Sequence, residues 1–241
     1  MIFAFAAFIH GSIGFGFPMV ATPLLAMVFD IQTAILLTLL PTLLMNIISI
    51  AGEGGWLSAS KRHLPLALLA MLGSALGSQL LLLSESELFK LFLATIILFY
   101  LFSSVIKLNY QWVRKYPAVA KVAFGISAGI VGGLTNVMAP VLVIYTIESK
   151  YSKSETVQAS NLTFMLGKLV QVLIFFLNDK FEAGNVLFSG GMAVFAVAGL
   201  LVGVKLRQKI KPVIYRRLLK VLLFSLATLL LLQSFLFLYA N

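Results

Sequence analysis

Apolar stretches of about 20 residues recur from one end of this chain to the other, and a helix of that length crosses the hydrocarbon core of a bilayer. Six of them read as uninterrupted spans: 31–52, 64–83, 88–108, 155–177, 183–204 and 218–239. Of the 241 residues, 61% are apolar and 11% charged, against roughly 45–50% and about 25% in soluble domains. That leaves almost nothing for an extramembranous unit, so 1–241 reads as one integral membrane domain of the all-α polytopic class. Residues 1–29 lack a basic leader and a small-residue cleavage signal. They read as a membrane element and not a secretory signal.

Two further stretches, 1–29 and 118–147, are about 30 residues long and broken in the middle. The first is interrupted by Gly14-Phe15-Gly16-Phe17-Pro18 and the second by Gly132-Gly133-Leu134-Thr135-Asn136. Glycine and proline free backbone groups that lipid cannot satisfy, so such breaks persist only inside protein or along a wet cavity. Re-entrant hairpins or discontinuous helices are expected; a packing kink is the competing reading. The pattern then repeats. Each break is followed by a proline, Pro23 and Pro140, and an acid closes each hairpin, Asp30 and Glu148. Gly73 and Gly77 are echoed by Gly199 and Gly203, a small-xxx-small spacing that lets helices approach closely in lipid. Recurrence in the same order predicts two repeats, 1–117 and 118–241, each a broken hairpin plus three transmembrane helices. Duplication of this kind is the usual plan of secondary transporters.

The charges orient the repeats. There are 18 Lys+Arg against 8 Asp+Glu, a net charge of +10. If 118–147 does not cross, fifteen basic residues share one face and only Lys90 and Lys180 lie on the other; if it crosses, the split falls to ten against seven. Cytoplasmic loops are enriched in Lys and Arg, which favours the non-crossing arrangement. With the first hairpin also re-entrant, each repeat has three spans and the two are inverted. The positive charge thus marks a membrane face, and no nucleic-acid partner is expected.

No cysteine and only two histidines, His10 and His63, are present. Thiolate sites, a histidine metal site and a Ser-His-Asp hydrolase all lack their parts, so neither an enzyme nor a cofactor is expected. All eight acids lie at or near span ends, whereas Lys168 sits mid-span. A lysine there costs at least ~2.5–3.5 kcal/mol, which makes it a functional-site hypothesis by default. It shares a helix face with Gln158, Asn161 and Gln171, and Thr38, Thr42, Asn46 and Ser49 form a similar row in the first half. A shift of 122 residues superposes Asn46 on Lys168 and Ser49 on Gln171. Interhelical hydrogen bonding explains the Thr and Ser positions; Lys168 and Asn161 read as a site. His10 reads as a packed core histidine.

The breaks supply complementary chemistry. Thr135 or Asn136 is expected to N-cap a half-helix over 137–147, and Pro18 suits the opening turn of one over 19–29. Each half-helix would aim free N–H groups and its positive dipole end at the bilayer midplane. Two such ends plus Lys168 describe an anion site. Its candidate residues are Gly14, Gly16, Phe17, Pro18, Thr42, Asn46, Gly132, Gly133, Thr135, Asn136, Asn161, Lys168 and Gln171.

The glycine-rich stretch 11–23, its echo at 125–140, and 72–79 following Gly54-Gly55-Trp56 resemble the TauE/SafE family of sulfite exporters over nearly the whole chain. Phe17-Pro18 and Leu134-Thr135-Asn136 stand where many relatives continue with glycine. The resemblance implies a multi-pass permease of a bacterial or archaeal inner membrane, carrying small sulfur oxyanions or organosulfonates such as sulfite or sulfoacetate. The partners expected are a small anionic solute and the lipid bilayer. Alternating access about a midplane site is the expected mechanism. One charge crossing 100 mV is worth about 2.3 kcal/mol, so an inside-negative cell expels a dianion with about twice that gain, which favours export. A passive anion channel and a non-transporting membrane assembly protein are the alternatives.

Overall fold

The computed structural model describes residues 1–54, 56–83, 86–103, 111–206 and 212–240. All regular structure among them is helical: α1 (Ile2–Ile13), α2 (Phe17–Ala26), α3 (Ile31–Gly52), α4 (Trp56–Leu83), α5 (Ser86–Ser103), α6 (Gln111–Lys115), α7 (Pro117–Thr135), α8 (Ala139–Glu148), α9 (Lys153–Leu177), α10 (Ala183–Leu206) and α11 (Pro212–Ala240). Among the described residues five helices are long and apolar enough to cross a membrane: α3, α7, α9, α10 and the Lys61–Leu83 part of α4. The sixth and third expected spans, 218–239 and 88–108, correspond to α11 and α5, with 104–108 outside the described residues.

The outward face of α4 shows what surrounds the molecule. Leu64, Leu68, Leu72, Leu76 and Leu80 are all exposed, a ridge of leucines at every fourth position. Water would oppose such a surface and lipid accepts it. A buried face of the same helix carries Gly73 and Gly77, pressed so closely on α7 that added Cβ atoms would strike the carbonyl oxygens of Ile126 and Ile130. Gly199 and Gly203 of α10 meet α1 in the same way, at the carbonyls of Ala4 and Phe8. The two glycine pairs noticed in the sequence therefore cement two matching interfaces, α4 with α7 and α10 with α1. Other contacts match as well: α4 with α9 and α10 with α3, α2 with α11 and α8 with α5.

Helix starts obey the same correspondence. Asp30 caps α3 by accepting the Thr33 amide at 3.0 Å. Ser152, 122 residues on, caps α9 in a full capping box with Glu155. Glu148, expected to close the second hairpin, is the last residue of α8, whereas Asp30 lies three residues beyond the C-cap of α2. The cap falls on Ser152 because that residue holds the extended backbone a cap requires.

Both breaks are sharp reversals. Gly14 ends α1 with φ 105 and its amide returns to the His10 carbonyl; Asn136 ends α7 with φ 68 and its amide returns to Gly132. Left-handed backbone of this kind stops a helix, and only Gly and Asn or Asp adopt it readily. The rings of Phe124 in α7 and Tyr145 in α8 have centroids 5.6 Å apart. A helix running straight on from Phe124 would carry residue 145 about 30 Å away, so α8 returns along α7. Phe3 and Phe17, 6.1 Å apart, show the same return in the first hairpin.

Polar ties sort the helix ends onto two sides. Arg62 pairs with Glu155, and Gln158 donates to the Gly54 carbonyl, which gathers the end of α3 and the starts of α4 and α9. Gln32 donates to the Leu81 carbonyl and Gln233 to that of Met27, which gathers the start of α3 and the ends of α2 and α4 opposite.

Candidate functional site

Helices α2 and α8 are ten residues each, about 15 Å, half of a hydrocarbon core about 30 Å thick. Their N-terminal ends lie level with the middle of α9, where Asn161 reaches the Gly14 carbonyl and Lys168 that of Gly132. Neither N-cap residue, Gly16 or Met138, caps its helix through a side chain; at α2 the Phe17 amide goes to His10 Nδ1 and the Met19 amide to the Gly16 carbonyl, so what both ends share is the positive end of the helix dipole. Between the two ends lies a cavity of about 10 Å³ lined by Gly16, Pro18, Met19, Asn136, Val137, Met138, Ala139, Phe164 and Lys168. That is room for about one water molecule.

Lys168 is 1% exposed. Its Nζ donates to Gln171 Oε1 at 2.5 Å and reaches the Gly132 carbonyl at 3.5 Å, while Gln171 Nε2 donates to the Gly133 carbonyl at 3.0 Å. The lysine and glutamine of one helix face thereby hold the two carbonyls that the Gly132-Gly133 break frees. No carboxylate pairs with Lys168 among the described residues. A buried cation without a counter-ion, at two positive helix ends, is an arrangement for an anion.

The two asparagines tie each tip to the other half. Asn136 Nδ2 donates to Thr22 Oγ1 at 2.7 Å and Thr38 Oγ1 at 2.6 Å; Asn161 Nδ2 donates to the Gly14 carbonyl at 2.7 Å. The Oδ1 atoms of both are buried without a partner. Of the thirteen residues expected from sequence, Gly16, Pro18, Asn136 and Lys168 reach the cavity wall. Gly14, Gly132, Gly133, Asn161 and Gln171 form the hydrogen-bonded frame around it.

The remaining four are placed differently. Phe17 is buried with its amide donating to His10 Nδ1 at 3.2 Å and its ring against Phe3. Thr42 donates to the Thr38 carbonyl of its own helix at 2.6 Å. Asn46 is buried with neither polar atom partnered and stands off the cavity wall. Thr135 does not N-cap the second half-helix: it is the last residue of α7, donating to the Val131 carbonyl at 2.7 Å and accepting from the Val137 amide at 3.2 Å. Asn136 does not cap it either: it is the left-handed C-cap of α7, its Nδ2 turned to the first hairpin and α3 and its Oδ1 meeting no amide of α8. The N-cap position belongs to Met138.

His10 matches its reading as a core histidine. Its Nδ1 accepts from Phe17, so Nε2 carries the proton and donates to Ser49 Oγ at 2.8 Å. Met19, Val137, Met138, Ala139 and Phe164 complete the wall and escaped the sequence reading because apolar residues near a break look like ordinary core. The shift of 122 could have found two of them: Met138 superposes on Gly16 and Phe164 on Thr42.

On the side rich in basic residues, Arg62 lies over the Tyr151 ring at 5.9 Å, with His63 and Tyr145 rings at 5.3 and 5.9 Å. Burial first, then the neighbouring Tyr145, pushes the Tyr151 phenol above its ordinary range.

Two helical hairpins meeting tip to tip, among helices long and apolar enough to cross a bilayer, are the build of a polytopic membrane permease. The family model described as Sulfite exporter TauE/SafE matches residues 1–230, and the chain belongs to that family. It is a family of membrane transporters, not of enzymes. No match was found among curated proteins or among solved structures.

Proposed function

We propose that the protein is a secondary transporter that exports a small oxyanion, such as sulfite or an organosulfonate, by alternating access about the cavity between the hairpin tips. The observation that carries this reading is Lys168, a buried cation with no carboxylate partner beside the N-terminal ends of two half-helices. Gly16, Pro18, Asn136 and Lys168 contact the anion. Gly14, Phe17, Gly132, Gly133, Thr135, Asn161 and Gln171 hold the contact residues in place, and Thr42 and Asn46 belong to the matching polar row of α3.

The two halves, 1–117 and 118–241, are inverted repeats in this reading, a plan suited to rocking about a fixed central site. The paired interfaces and paired reversals support it. Lys61, Arg62, Arg114, Lys115, Lys121, Lys150 and Lys153 gather at the Arg62–Glu155 side, which supports a cytoplasmic assignment for that side in a bacterial or archaeal inner membrane. Export then runs down the membrane potential.

Flux from proteoliposomes tests the proposal. Saturable counterflow of sulfite is expected, with Lys168→Gln slowing it at least tenfold. Linear, non-saturable flux would identify a channel, and no flux of any anion a non-transporting assembly protein. Wild-type rates in both Lys168→Ala and Lys168→Gln would remove Lys168 from the site.

A further inference from the structure

The cavity is too small for its proposed occupant, and this identifies a residue. About 10 Å³ admits one water, whereas an oxyanion of sulfur has at least four heavy atoms. Some wall group must give way. Phe164 is braced edge-on against Phe15 at 6.5 Å and Lys168 is held by Gln171. Pro18, Val137 and Ala139 are short or stiff. The unbranched thioethers of Met19 and Met138 remain, each with three rotatable bonds and no hydrogen bond to break.

Of the two, only Met138 has clearance cut for it in neighbouring helices. A Cβ on Gly132 of α7 would collide with its Cγ and Cε and come within 3.0 Å of Sδ; one on Gly167 of α9 would collide with the same Cε. The thioether thus lies in a slot between two glycines, at the head of α8. The corresponding position of the first tip is Gly16, where an added Cβ would meet nothing within 4 Å. One tip therefore presents bare backbone to the cavity and the other a movable side chain.

We infer that Met138 is the specificity-determining residue of the anion site, a side chain whose length, with its thioether seated in the Gly132–Gly167 slot, sets the size of anion admitted. The inference rests on the carrier reading above. Its test is the flux ratio of benzenesulfonate to sulfite in proteoliposomes of the full chain, restricted to variants that remain monodisperse in detergent. Met138→Ala is expected to raise that ratio about tenfold or more, the discrimination that roughly one methylene supplies in an apolar pocket. Met138→Leu, which conserves volume, is expected to leave the ratio within about threefold. Gly167→Ala fills the slot, drives the thioether into the cavity and lowers flux of both anions. Adding Met138→Ala to Gly167→Ala restores it. Should Met138→Ala fail to fold, Met138→Val carries the same expectation at smaller amplitude. Sulfite flux with an unchanged ratio in the smaller-side-chain variants overturns this inference alone; no anion flux in the wild type overturns the carrier reading and the inference with it.

Discussion

If Lys168 is kept for an anion, removing its charge should cost the empty protein no more than the acceptor it leaves unpaired. Burying the ammonium costs at least ~2.5–3.5 kcal/mol on insertion scales. Against this stands one short charge-assisted bond, to Gln171 Oε1 at 2.5 Å, worth about 1.5–3 kcal/mol. The 3.5 Å approach to the Gly132 carbonyl is too long to add much. The two effects nearly cancel, so the empty site is close to neutral or slightly unfavourable. Lys168→Met alone bares Gln171 Oε1, at about 1–3 kcal/mol for a buried unpaired acceptor, whereas Lys168→Met with Gln171→Leu removes that pair and leaves instead the Gly133 carbonyl that Gln171 Nε2 holds at 3.0 Å, at a similar cost. The double variant should therefore melt level with Lys168→Met, and no lower, without anion.

Anion should separate the double variant from the wild type. A ligand at 100 times its Kd stabilises the folded state by about 2.7 kcal/mol, which is roughly 5–10 °C for a chain of this size. Sulfite should produce that shift in the wild type and none in the double variant, read by the intrinsic fluorescence of the two tryptophans in detergent. A double variant that melts well below Lys168→Met alone, yet still gains the full shift with sulfite, would refute the reasoning and make Lys168 a structural strut.

Other outcomes follow from the same geometry. Gly129→Ala should lower stability by about 1–3 kcal/mol, since its Cβ would meet Ser74 N at 2.7 Å. Gly190→Ala, with nothing within 4 Å, should be neutral or stabilise by up to ~1 kcal/mol, and equal melting of the two variants would contradict the packing described. Because the chain has no cysteine, Lys115→Cys and Lys150→Cys can be labelled without background. Both should react with an impermeant reagent from one side of oriented vesicles, and Asp179→Cys from the other; labelling of Lys115→Cys and Lys150→Cys from opposite sides would place α8 across the membrane. The Tyr151 phenol is raised in the folded protein, so the unfolded chain deprotonates first as pH climbs through about 10. Stability is lost above that pH, and Tyr151→Phe should lessen the loss in alkaline melting curves.

Much of this arrangement was legible because membrane helices announce themselves by length and because each break carries residues that lipid forbids. Gly14 and Asn136 mark the reversals, Pro18 the first turn of α2, and a single shift of 122 residues links the caps, the breaks and the polar rows. The assignment of Thr135 and Asn136 to the start of α8 failed for a tertiary reason. Read locally, both are good caps; in the fold, the Asn136 amide bridges Thr22 and Thr38, more than 90 positions away in the chain. Met138 was invisible for another reason. Its significance comes from Gly132 and Gly167 lying on either side of it, and nothing in the order of residues says that α7 and α9 converge there. Lys168 stood out as an intramembrane charge, but its bond to Gln171 is a matter of rotamer that spacing only permits.

The cross-wise docking of the hairpins also governs how the protein is made. Helix α1 is complete once residue 13 leaves the ribosome, yet the glycines that receive it, Gly199 and Gly203, lie about 185 residues later. At about 5–20 residues per second the first hairpin waits roughly 10–40 s for its seat. Through that interval its freed backbone groups have no protein shelter in the bilayer. Something in the insertion machinery, or a provisional docking on α3, has to shield them, and a nascent chain stalled before α10 is the species most exposed to proteolysis.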